Sequence, residues 1–128
     1  QAYNQFGERT LFLGTGSRGG GYLRTYNFDG QETVYVGTGA DSSGQMRIYD
    51  SAGETGTFIG SGYFRTYNQF GKMSTFLGNG RDGGGYLRTN NKFETETAFL
   101  GTNNSNEGLV NLNDKFGQSF WIRLNKGD

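Results

Sequence analysis

The chain contains no cysteine, no proline and no histidine among its 128 residues, and only one tryptophan. Without cysteine there is no disulfide to staple it, and the redox compartment stays open, because disulfide-free chains work both inside and outside cells. Lacking His and Cys together, it cannot assemble the usual nucleophile–base pairs or metal-ligand clusters, so neither an enzyme nor a bound cofactor or metal is expected. Twelve basic and twelve acidic side chains cancel. No long-range field therefore draws the chain toward nucleic acid or an anionic membrane, and neither is an expected partner. No apolar run reaches the roughly 18 residues of a membrane-spanning helix, and the opening Gln1-Ala2-Tyr3 lacks the charged-then-apolar order of a secretion signal. Any leader or anchor is expected outside this segment.

Glycine is what the chain has in plenty. Its 24 glycines follow no Gly-X-Y triplet, which excludes collagen, and an aromatic content of 16% is too high for a disordered linker. They mark a repeat instead. Gly7, Gly30, Gly53 and Gly71 lie 23, 23 and 18 residues apart, and the offset of 23 resumes at Glu94 and Gly117. Tyr3, Tyr26, Tyr49, Tyr67, Asn90 and Asn113 follow the same comb. A unit this short cannot close its own core, so stacked copies must bury what one copy leaves bare.

Each unit reads as two short strands and two turns. Tyr26-Asn27-Phe28-Asp29-Gly30 and Tyr67-Asn68-Gln69-Phe70-Gly71 put Asn first and Gly fourth, the signature of a type I turn closed by a left-handed residue. Runs of β-formers follow, such as Thr10-Leu11-Phe12-Leu13 and Ser74-Thr75-Phe76-Leu77, each closed by Gly14 or Gly78. A Gly-rich loop then leads into a second strand, as in Gly21-Tyr22-Leu23-Arg24-Thr25. In the third unit that loop shrinks to Ser61-Gly62, a length only a β-hairpin can use, so the two strands are antiparallel neighbours.

The short hairpin also sorts the faces. Gly60 falls opposite Tyr63, Phe58 opposite Arg65 and Gly56 opposite Tyr67, which places Phe12, Tyr35, Phe58, Phe76 and Phe99 with Arg24, Arg47, Arg65 and Arg88 on one face. The other face holds Leu13, Val36, Ile59, Leu77 and Leu100 with Leu23, Met46, Phe64, Leu87 and Val110. This aliphatic face is expected to be the buried one. Left open it would exceed the few hundred Å² of apolar patch that soluble monomers usually show. A homotrimer is the expectation, ahead of a dimer or a self-closed monomeric barrel.

The strings TLFLGTGSRGGGYLRTYNFDGQETVYVGTG and AFLGTNNSNEGLVNLNDKFGQSFWIRL resemble the shaft repeats of trimeric bacterial and phage fibre proteins, above all the mosaic adhesive trimers of predatory bacteria. The resemblance runs over essentially the whole chain. It implies an all-β, parallel-chain homotrimer shaped as a β-prism or β-helix, extracellular on a cell surface or virion, whose tip engages a ligand that is often a surface glycan. Residues 1–116 are then tandem hairpin repeats and 117–128 a C-terminal capping strand.

Site candidates carry two readings each. Trp121, in Phe120-Trp121-Ile122-Arg123-Leu124, belongs to an atypical last repeat that suits a cap; the alternative is a sugar-stacking platform with Arg123 beside it. Asn103, Asn104 and Asn106 offer glycan contacts or form a plain solvated turn. The Arg column invites carboxylate binding, but its regular pairing with rings, Arg24 with Phe12, Arg47 with Tyr35, Arg65 with Phe58 and Arg88 with Phe76, reads as a structural cation–π ladder. Asp41 and Asp82 supply one carboxylate per loop, too few for calcium. Glu94 and Glu96, two apart, would point the same way from a strand, yet no matching acid stands in the neighbouring repeats. The rival to a fibre segment is a repeat lectin, with equivalent sugar sites formed by each unit's Tyr, Arg and loop Asn.

Overall fold

A computed structural model describes residues 1–124, and the remainder of the expected cap, 125–128, lies outside the described residues. Twelve antiparallel strands form one meander sheet in which spatial order equals sequence order. The chain divides into two units, Gln1–Ser61 and Gly62–Asp128. The first holds β1 (Ala2–Tyr3), β2 (Arg9–Thr15), β3 (Gly21–Tyr26), β4 (Glu32–Thr38), β5 (Gly44–Tyr49) and β6 (Thr55–Gly60). The second holds β7 (Tyr63–Tyr67), β8 (Met73–Asn79), β9 (Gly85–Asn90), β10 (Glu96–Thr102), β11 (Gly108–Asn113) and β12 (Ser119–Leu124).

The turns at one side of the sheet are the ones the sequence signals. The N–H of Gly30 donates to Asn27 O and that of Gly71 to Asn68 O, with φ of 76° and 71° at the two glycines. The carboxamide of Asn68 accepts from the N–H groups of Phe70 and Lys72, and Asp50 serves Ala52 and Glu54 in the same manner. A short polar side chain at the first position thus satisfies two turn donors that water would otherwise have to serve. The Gly-rich stretches on the opposite side, read from the sequence simply as loops, are the same turn again. Gly19 donates to Gly16 O, Ser42 to Gly39 O and Asn106 to Asn103 O, and Ser42 and Asn106 hold the left-handed position at φ 67° and 61°. Paired strand backbone runs on through Thr15 and Gly21, so only the turn itself remains as a loop.

Each unit keeps strict register. In the first, Leu13 faces Leu23, which faces Val36, which faces Met46, which faces Ile59. One step over, Phe12, Arg24, Tyr35, Arg47 and Phe58 form the next line across the same strands. The second unit repeats this with Phe64, Leu77, Leu87, Leu100 and Val110 beside Arg65, Phe76, Arg88, Phe99 and Asn111. Register slips by one residue near the turns that begin at Asn27, Asn68 and Asn91, and hydroxyls bridge each slip: Thr25 to Thr33 at 2.7 Å, Thr66 to Ser74 at 2.8 Å, Thr89 to Thr97 at 3.1 Å. These are β-bulges, which bend and twist the strand that carries them.

Burial within the chain runs opposite to the expectation. Phe76, on the ring face, is 6% exposed and is the only buried apolar side chain among the described residues. Leu13, Leu77 and Leu100, on the aliphatic face, are 70%, 53% and 54% exposed. Size and spacing explain the reversal. Rings on adjacent strands are broad enough to cover one another, whereas a leucine row in a single layer stands side by side with nothing above it.

Candidate functional site on the ring face

Strands lie about 4.8 Å apart, close to ring-stacking distance, so a line of aromatic residues running across strands becomes a stack. Tyr22 sits between Phe12 and Tyr35, with centroids 5.4 and 5.8 Å away and planes within 20°. In the second unit Tyr63, Phe76, Tyr86 and Phe99 follow at 5.9, 4.8 and 5.2 Å. Glycine opposite each tyrosine makes room, since Gly14 and Gly37 flank Tyr22, and Gly78 and Gly101 flank Tyr86. Both faces of Tyr22, Phe76 and Tyr86 are thereby covered.

Guanidinium groups fill the second line of the stack. Arg65 lies 4.5 Å from the Tyr63 centroid and 5.4 Å from that of Phe76, Arg47 lies 5.5 Å from Phe58, and Arg88 lies 6.0 Å from Phe76. Arg24 stacks on Tyr22 and Tyr35, at 4.7 and 5.6 Å, and not on its cross-strand partner Phe12. Arg9 takes that ring instead, at 5.6 Å. The Nε atoms of Arg24, Arg47, Arg65 and Arg88 are buried without a hydrogen-bond partner in the chain, which leaves their terminal nitrogens as the groups able to meet a ligand. Arg24 uses one of its own on Glu32, at 3.2 Å. Burial works against the Arg24 charge, but Glu32 and the Tyr26 hydroxyl outweigh it and hold its pKa above the ordinary value. Burial, followed by the Glu32 charge, pushes the Tyr49 phenol up.

The expected ligand residues do not converge. Asn103, Asn104 and Asn106 line a cleft of about 220 Å³ with Arg81, Asp82 and the edges of Tyr86 and Phe99. Asn103 is committed to the turn, its Oδ1 accepting from the N–H groups of Ser105 and Glu107 while its Nδ2 donates to Glu107. Asn106 holds the left-handed position, so Asn104 is the one of the three with no task in the turn backbone. Trp121 and Arg123 are elsewhere: they face Leu112 and Val110 and belong to the aliphatic face, where Arg123 takes the place that Leu77 and Leu100 hold in earlier units. No protein-family model matches this chain, and no curated protein does.

Glu94 and Glu96 are likewise apart. Glu94 sits in a turn at φ 65°, its Oε1 accepting from the Met73 N–H, whereas Glu96 lies on β10 within 3.4 Å of the Asn113 amide. Asp41 binds the backbone N–H and hydroxyl of Ser43 and thereby titrates below its ordinary value. Among the described residues no cluster of three or more carboxylates is placed to hold a metal. The sequence reading missed a row of exposed turn phenylalanines: Phe70, Phe93 and Phe116 in the second unit, Phe6 and Phe28 in the first. Their recurrence one residue before the turn's left-handed position, or two in the case of Phe28, was the available signal, since a solvated turn has no use for a large ring there.

Proposed function

We propose that the chain is a shaft segment of an extracellular adhesive or recognition fibre, assembled as a homotrimer through its aliphatic face and displaying the ring face outward toward a surface glycan. The observation that carries this reading is the mismatch between apolar content and burial. Among the described residues the chain encloses a single apolar side chain by itself, while Leu13, Val36 and Ile59 in one unit and Leu77 and Leu100 in the other stand open in register. Each large aliphatic side chain buried gains about 1.5–3 kcal/mol, so covering these rows is the largest stabilisation still open to the chain. A copy of the same chain carries rows of identical spacing, and closed rotational symmetry lets every copy be covered alike.

The ring face favours the fibre over a repeat lectin. Equal sugar sites on every repeat would need a free ring face on every repeat, and stacking covers those faces. Light scattering on the purified segment tests the assembly. A mass about three times 14.1 kDa is the expected outcome, and a monodisperse monomer at micromolar concentration would overturn it.

A further inference from the structure

We propose that the ring stack is interrupted at Gln45 to form a slot for one acidic sugar ring, a hexuronate unit. The column that carries Tyr22 in β3, and Tyr63 and Tyr86 in the second unit, carries Gln45 in β5. Gln45 faces Gly37, the same glycine that Tyr22 faces from the other side, so the space cleared for a ring is kept while the ring is gone. The Gln45 amide does not fill it. That amide lies toward the turn, where a Cβ placed on Gly39 would come 3.0 Å from its oxygen.

A cleft of about 390 Å³ results, with Tyr35 on one wall. Tyr22 covers one face of the Tyr35 ring at 5.8 Å, and on the other side β5 carries Gln45 in place of a ring in that column. The next ring of this unit, Phe58, stands two strands on, about 9.6 Å at ordinary strand spacing, which leaves one rung of the stack vacant. The Tyr35 hydroxyl donates to Thr38 O at 2.9 Å, fixing the wall.

The lining selects the occupant. A sugar ring has an apolar face for Tyr35 and hydroxyls for the polar rim, here Glu32, Thr38, Gln45 and the Tyr49 hydroxyl, which a flat arene has no groups to engage. Charge adds the acid. Arg24 is paired with Glu32, whereas Arg47 has no carboxylate within ion-pair distance among the described residues and rests its guanidinium 5.5 Å from the Phe58 centroid, which leaves the N–H edge of the group open. A guanidinium so placed presents a fork to a sugar carboxylate.

This deepens the ligand-recognition half of the fibre reading and rests on it, but the slot lies within one unit of one chain. The test is a titration of the isotope-labelled segment with sodium glucuronate, followed by amide chemical shifts, beside glucose and sodium benzoate, with light scattering on the same samples. Saturable shifts centred on Tyr35 to Tyr49 at millimolar glucuronate are expected, with glucose about tenfold weaker for loss of one charge-assisted contact. Gln45→Tyr restores the missing rung and is expected to abolish binding while keeping the mass and the melting temperature. Arg47→Lys keeps the charge, loses the fork and is expected to weaken binding several-fold. No saturable shift at tens of millimolar, benzoate binding as tightly as glucuronate, or Gln45→Tyr binding like the wild type would overturn the slot. Trimers that do not bind remove the slot alone, and a monomer that binds removes the assembly alone.

Discussion

Tyr22 lies directly opposite Gly37, and a methyl group placed on that glycine would come within 2.5 Å of the Tyr22 Cβ and 2.8 Å of the Gly21 carbonyl oxygen. The ring stack therefore depends on glycine for volume, with no positive φ involved. Gly37→Ala is expected to destabilise the chain by about 1–3 kcal/mol, as overpacking does. Gly44, at the end of β5, has nothing within 4 Å of its Cβ position, and Gly44→Ala is expected to be neutral or slightly stabilising. Urea unfolding of the two variants side by side checks the contrast, and equal midpoints would mean that the paired backbones of β3 and β4 shift to admit the methyl at no cost.

Much of this arrangement was legible beforehand, and the residues show why. The deletion that leaves Ser61-Gly62 in place of a longer loop identified the hairpin, and with strands of period two that single pairing sorted every later side chain onto a face. Asn27 and Asn68 announced their turns because only a short polar side chain at that position can reach the turn amides, one for Asn27 and two for Asn68. Gly39-Ala40-Asp41-Ser42 announced nothing, since Ser42 has no special liking for the left-handed position it occupies. Which face the chain encloses was hidden for a different reason. Alternation separates Leu13 from Phe12 but says nothing of whether neighbours in a row can cover each other. That depends on ring breadth against strand spacing, a property of the assembled sheet. Arg24 moved from Phe12 to Tyr22 and Tyr35 because Arg9, outside the column considered, competes for the same ring.

The guanidinium stacks carry a prediction of their own. Arg65 lies against both members of the stacked Tyr63–Phe76 pair, and a flat, delocalised cation can spread over two rings as an ammonium cannot. Arg65→Lys is expected to cost about 0.5–2 kcal/mol, with little dependence on salt because the gain is in stacking and not in a distant charge. Thermal unfolding at low and high ionic strength measures both. A loss that disappears in salt would point to an ordinary surface charge effect.

Acid should loosen the second unit through Glu94. Its carboxylate titrates below the ordinary range, first because it accepts from the Met73 N–H and next because Lys72 Nζ stands 3.4 Å away. A pKa depressed in the folded state means that the contribution to stability is present above the unfolded value and is lost as pH falls through the folded one. The Met73 amide resonance is expected to move with a midpoint below that of a free glutamate, and Glu94→Gln is expected to remove the step. An unchanged midpoint near the free value would mean that the bond does not persist in solution.

The aliphatic rows decide the assembly, and Leu77→Asp addresses them without confusing assembly with folding. Leu77 is more than half exposed in the single chain, so an aspartate there would keep its hydration if the chain worked alone, and the expected cost would lie within about 0.5 kcal/mol, as for ordinary surface changes. If a second copy covers the row, the same substitution buries an unpaired charge against Leu87 and Leu100 neighbours, at a cost of several kcal/mol for each copy. Mass by light scattering is then expected to fall to that of one chain, with a matching loss in melting temperature. Ile59→Asp, on the aliphatic face of the other unit, is expected to act alike. Thr66→Val, whose hydroxyl bonds Ser74 at the bulge, serves as the control: it should lower stability by about 1 kcal/mol while the mass stays that of the assembly. Wild-type mass and melting temperature in both aspartate variants would show that the rows are solvent-facing in the working protein, and the fibre reading would fall with them.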